Sequence, residues 1–201
     1  MSGARAADDP GVYRIVPLAE LDAPEAVKQQ LRAQIARARS GVIAVPNGSI
    51  PTDAELVASL PTARRSRAEL VGRLPNPPTN VDATMLGAAE LLGMEPSGAL
   101  NGLKSSGLTR FFRLPKVGVV EFNEDNFRAP GVRIEAIAEA QNSTVNGVPA
   151  QLEQSQDASG RSRVLLMWAG AEKVYTLIAI GDGDVHFKAR ALSDIAAAVK
   201  D

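Results

Sequence analysis

Val164-Leu165-Leu166-Met167-Trp168 decides the fold. Five apolar residues in a row, with no helical gap and no proline, read as a strand covered on both faces. Working outward, Ala169-Gly170-Ala171 supplies a turn and Lys173 to Ile180 a second strand, which places Trp168 and Tyr175 opposite each other across a hairpin. Upstream, Asn146-Gly147 is a strong hairpin signal, followed by a strand over Val148 to Gln154. Leu108 to Leu114 and Val117 to Phe122 flank Pro115-Lys116 as a further strand pair. Val132 to Glu139 alternates as a strand, although Glu135, Ala136 and Ala138 also suit a helix. Leu192, Ile195, Ala196 and Val199 form the apolar stripe of a closing helix.

The first half has a helical texture. Asp22, Pro24 and Glu25 mark a helix start, after which Val27, Leu31, Ile35 and Ala38 recur near helical period until Gly41. Thr52-x-x-Glu55 and Ser66-x-x-Glu69 open two brief helices. Asp82 caps another through Met85, Leu86, Ala89, Leu92 and Met94, ended by Gly93 and Pro96. The expected fold class is therefore α+β: a helical N-terminal half packed on an antiparallel β-sheet (a meander) and closed by a C-terminal helix. Along the chain this gives a flexible segment over 1–17, a helical region over 18–104, and the sheet with its last helix over 105–201, in one compact domain.

Composition removes whole classes of chemistry. The 201 residues carry no cysteine and one histidine, His186. Disulfides, thiolate metal sites and cysteine nucleophiles are thereby excluded, as is any multi-histidine site within one chain. The formal net charge is -1, so no global field draws nucleic acid. The densest basic run, Arg64, Arg65 and Arg67, has no aromatic residue beside it. No Gly-x-Ser-x-Gly elbow, phosphate-binding loop or EF-hand loop is present. No cofactor and no metal are expected.

Thr144-Val145-Asn146-Gly147-Val148-Pro149-Ala150, then Leu165-Leu166-Met167-Trp168, Val174-Tyr175-Thr176-Leu177 and Ser193-Asp194-Ile195-Ala196 follow one another over residues 142–199. In this order of turn, Trp-ended strand, Tyr-x-Leu strand and "IA" helix, the stretch resembles the C-terminal module of bacterial envelope lipoprotein-sorting and sigma-factor-regulatory domains. The resemblance implies an envelope setting and non-catalytic partner binding. The helical first half departs from that family, whose larger sheet a lipid cavity needs. Ala4-Arg5-Ala6 has the small-x-small form of a signal cleavage site with no apolar run before it. Two readings stand, a periplasmic or secreted protein whose signal has been removed, with Met1 to Gly3 a remnant of cloning, or an alanine-rich cytosolic terminus; the first is adopted.

The expected function is that of a non-catalytic protein-binding protein of the cell envelope, such as an inhibitor, immunity or regulatory protein. The expected surface is the strand pair Leu108 to Phe122. Phe111 and Phe112 are adjacent on one strand, so they face opposite sides, and Phe112 flanked by Arg110 and Arg113 is a candidate anchor, with Glu121 and Glu124 beside it. The partner is another protein, with no nucleic acid and at most peripheral contact with membrane. Two alternatives stand: a small-ligand or lipid carrier with a cavity between sheet and helices, and a hydrolase in which His186 lies in a cleft beside a serine and a carboxylate.

Overall fold

The computed structural model describes residues 10–60, 67–101 and 104–200. In chain order the elements are strand β1 (Val12–Val16), helix α1 (Glu25–Arg39), strand β2 (Ile43–Val45), helices α2 (Asp53–Ser59) and α3 (Arg67–Val71), strands β3 (Glu90–Asn101), β4 (Lys104–Leu114), β5 (Gly118–Asn126), β6 (Arg133–Ile137), β7 (Ser143–Val145), β8 (Val148–Asp157), β9 (Ser162–Ala169) and β10 (Lys173–Gly181), and helix α4 (Val185–Ala198). Eight strands form one mixed sheet in the order β2-β8-β9-β10-β5-β4-β3, with β7 hydrogen-bonded to β8. β1 and β6 form a separate parallel pair.

Local chemistry explains most boundaries. Asn146 (φ 50°) and Gly147 (φ 82°) both adopt positive φ, as the tight turn between β7 and β8 demands. At α2, Thr52 Oγ1 accepts from Glu55 N–H at 3.2 Å and the Glu55 carboxylate accepts from Thr52 N–H at 2.8 Å, so two orphan donors are satisfied reciprocally. The Asp184 carboxylate accepts from Phe187 N–H at 2.7 Å and opens α4.

Pairing register assigns each strand residue to one of two faces. Leu108, Phe112, Val120, Phe122, Leu166, Trp168, Tyr175 and Leu177 share the inner face, which meets Leu192 and Ile195 of α4 in the main core. Tyr175 lies opposite Trp168 and stacks on it at 5.1 Å between ring centroids, with Phe122 on its other side at 6.0 Å. The outer face carries Leu165 and Met167, which are only half-buried. Val164–Trp168 is thus a central strand with one sealed face, not two.

The expectation of a helical N-terminal half is overturned: the molecule is dominated by a large mixed sheet with one C-terminal helix, and α1 to α3 lie among strands. The clearest correction is the helix read from Asp82. Residues 81–89 instead make successive i to i+3 turns, through Thr84 N–H to Val81 O, Gly87 N–H to Thr84 O and Ala89 N–H to Leu86 O. β3 follows and pairs with β4 from Glu90 opposite Arg113 to Asn101 opposite Lys104. The helix propensity of leucine and methionine is worth only tenths of a kcal/mol per residue, and a long ladder outweighs it. Gly87 and Gly93 weaken the helix, and Pro96 is tolerated because β3 is an edge strand. The segment expected to be flexible contains β1, whereas residues 1–9 lie outside the described residues, as do Arg64 and Arg65 of the basic run. Among the described residues no helix is long and apolar enough to cross a membrane.

Candidate functional site

Helix α1 crosses the outer face of the sheet near β8 and beside β6. Its apolar stripe is the one its sequence period indicates, yet the helix buries none of its 15 residues: Val27 is 39% exposed, and Leu31, Ile35 and Ala38 are half-buried. The reason is a cleft of about 210 Å³ between helix and sheet. Leu31, Ile35 and Ala38 form its roof, and Ala136, Ile137 and Met167 its apolar floor. Arg39, Glu135 and Glu153 add charge to its lining.

The helix is suspended from its ends. The segment before it is tied by Leu18 N–H donating to the Glu139 carboxylate at 2.8 Å. That bond, chiefly, holds the Glu139 carboxyl below the usual carboxylate range, with Arg39 and Arg32 adding a smaller effect. Lys28 Nζ reaches back to Ala19 O at 2.8 Å. After the helix, β2 runs parallel to β8, Ile43 opposite Ser155. The floor is set by the β1–β6 pair, whose Tyr13 and Ile134 pack, as Met167 does, on the cluster of Phe127, Ala169 and Val174 at the end of the outer face.

The five residues expected to form a docking surface are divided by the fold. Phe112 is 4% exposed and belongs to the core. Arg110 and Glu124 are 6% and 2% exposed and pair with each other at 3.0 Å on the inner face. The Glu124 carboxylate also accepts from Lys173 Nζ at 2.9 Å, Thr79 N–H at 2.8 Å and Thr79 Oγ1 at 2.6 Å, and the Arg110 guanidinium lies 5.0 Å from the Phe122 ring. This is an internal ion cluster with its acceptors satisfied. Glu121 lies on the outer face, half-buried; burial raises its carboxyl pKa, Glu95 adds to the rise and Arg163 opposes it. Only Arg113 is exposed, 3.4 Å from Glu90. Phe111, on the opposite face from Phe112, is buried too at 8%. Accordingly Arg110, Phe112 and Glu124 offer no side chain to a partner.

His186 is exposed on the first turn of α4, away from any cleft described above. Among the described residues no three His, Cys, Asp or Glu side chains gather as a metal-holding set. Among the described residues Lys188 is the other buried cation, donating from Nζ to Gly181 O at 2.8 Å and Ser162 O at 3.1 Å. Burial pushes its pKa down to about 8, against the pull of Asp53 and Asp182.

The roof of the cleft was legible as an apolar stripe; its floor was not, because Ala136 and Met167 come from strands far along the chain. No family model matches this chain, and neither a curated protein nor a solved structure matches it.

Proposed function

We propose that the protein is a carrier of a slender apolar ligand, held in the cleft beneath α1. One observation carries this reading: a 15-residue helix presents an apolar stripe to the sheet, yet no residue of it is more than half-buried. Helices of this kind gain most of their stability by burying such a stripe. An apolar chain laid between Ile35 and Met167 would supply the missing contact area, at about 25 cal/mol per Å² removed from water. The cleft, at about 210 Å³, lies below the roughly 300–1,000 Å³ of sites for drug-sized molecules, so the occupant is a single alkyl or acyl chain rather than a ring system. The sheet is also larger than the sequence indicates, which removes the argument against a lipid cavity. The envelope setting implied by the resemblance of residues 142–199 suits such a ligand.

The docking surface built on Arg110, Phe112 and Glu124 is not retained, since all three side chains are interior. The hydrolase reading loses its base, because His186 is at the surface.

The test is uptake of a medium-chain fatty acid, followed by displacement of a fluorescent fatty-acid analogue and by native mass spectrometry. The expected result is saturable binding at one site per chain, abolished by Ile35→Glu and by the space-filling Ala38→Trp, both at half-buried positions. Absence of uptake, or uptake indifferent to both substitutions, overturns the reading.

A further inference from the structure

A second apolar recess lies on the other side of the molecule. It is a groove of about 420 Å³ bounded by the 85–89 turns, the β4–β5 turn and the outer side of α4. Met85 and Phe187 stand in it 44% and 41% exposed, with Leu114 and Pro115 at its base. Arg190 and Asp194 complete the α4 side. Phe187, Arg190 and Asp194 are spaced i, i+3 and i+7, so they share one side of the helix. Arg190 and Asp194 are both exposed and one turn apart, and neither forms an ion pair with any described group.

We propose that this groove is the contact surface of a homodimer in which two α4 helices pack antiparallel. A two-fold axis level with Leu192, midway between positions 190 and 194, sets Arg190 against Asp194 of the partner subunit and Asp194 against the partner's Arg190. The patch is thus complementary to itself: one cation and one anion stand either side of the axis with Ala191 between them, and Phe187 lies toward the helix start, as an isologous contact allows. A uniformly acidic or basic partner would leave one of the two charges opposed by its like. The formal net charge of -1 sets no long-range repulsion between copies.

Sedimentation velocity of the full chain, between about 1 and 200 μM, reads the proposal directly. The expected result is a concentration-dependent monomer–dimer equilibrium. Phe187→Glu, at an exposed position that leaves the circular dichroism spectrum unchanged, abolishes the dimer. Arg190→Asp and Asp194→Arg each weaken it at least about tenfold, because each sets like charges together, and the double exchange restores it. Val27→Glu, an equally exposed apolar site on α1, leaves the dimer intact. A chain that sediments as monomer throughout overturns the proposal, as does a dimer indifferent to Phe187→Glu or a double exchange no better than its single components. The uptake of an apolar ligand under α1 does not enter any of these outcomes.

Discussion

Glu124 is the residue on which most internal polar chemistry converges. It answers Arg110, Lys173 and both donors of Thr79, while Thr79 Oγ1 also lies 3.2 Å from the Tyr175 hydroxyl. Removing the carboxylate leaves two cations in the interior without a counter-charge, which typically costs about 3–5 kcal/mol. Glu124→Gln is therefore expected to lower the urea midpoint sharply, whereas Glu25→Gln, which breaks the exposed pair with Arg32, leaves it nearly unchanged. Lys188 gives a pH dependence of definite sign. Its folded pKa of about 8 lies below its ordinary 10.5. Below pH 8 both states hold the proton and the folded chain bears the cost of a buried ammonium. Between 8 and 10.5 the folded chain sheds the proton first, so stability rises with pH across that window. Thermal unfolding of the wild type relative to Lys188→Met is expected to shift upward from pH 8 to pH 10; a flat difference would contradict the assignment.

At the scale of elements, α1 and α4 are opposites. Leu192, Ile195 and Ala196 of α4 are fully buried, whereas no residue of α1 is more than half-buried. Amide hydrogen exchange is expected to show it: protection over 30–38 at least about tenfold below that over 190–197, and raised when the cleft is filled. This contrast also marks how far the sequence could be read. Apolar period located both helices, because period reports which residues share a side. It could not report that one stripe meets a packed face and the other a cleft, since that depends on strands folded from elsewhere. Asn146-Gly147 and the Trp168–Tyr175 pair were legible for a related reason: their geometry is settled within a hairpin. Residues 82–94 were misread because leucine, methionine and alanine favour a helix locally, while β4 offers a ladder that only the tertiary structure supplies. The docking residues failed through parity. Arg110 and Phe112 share the face of Phe122 and Leu177, and there the segment of Thr79, Val81 and Leu86 closes over them, Thr79 O accepting from the Arg110 guanidinium.

For the molecule as a whole, β4, β5 and β7 to β10 pair antiparallel within the second half of the chain, and only β1 and β2 join in parallel from the first. Val12 must find Arg133, and Ile43 must find Ser155, across long stretches of chain. Such distant closures are entropically late. Refolding followed by Trp168 fluorescence, which reports the core, is expected to finish before protection appears in β1. Between those two parallel joints hangs α1. Mechanically it is a beam on unequal piers, five residue pairs at the β1 end and three at the β2 end. A force that lifts the beam breaks the shorter pier first, so the strap swings away about its β1 end, taking edge strand β2 with it, while the strands from β8 inward stay paired.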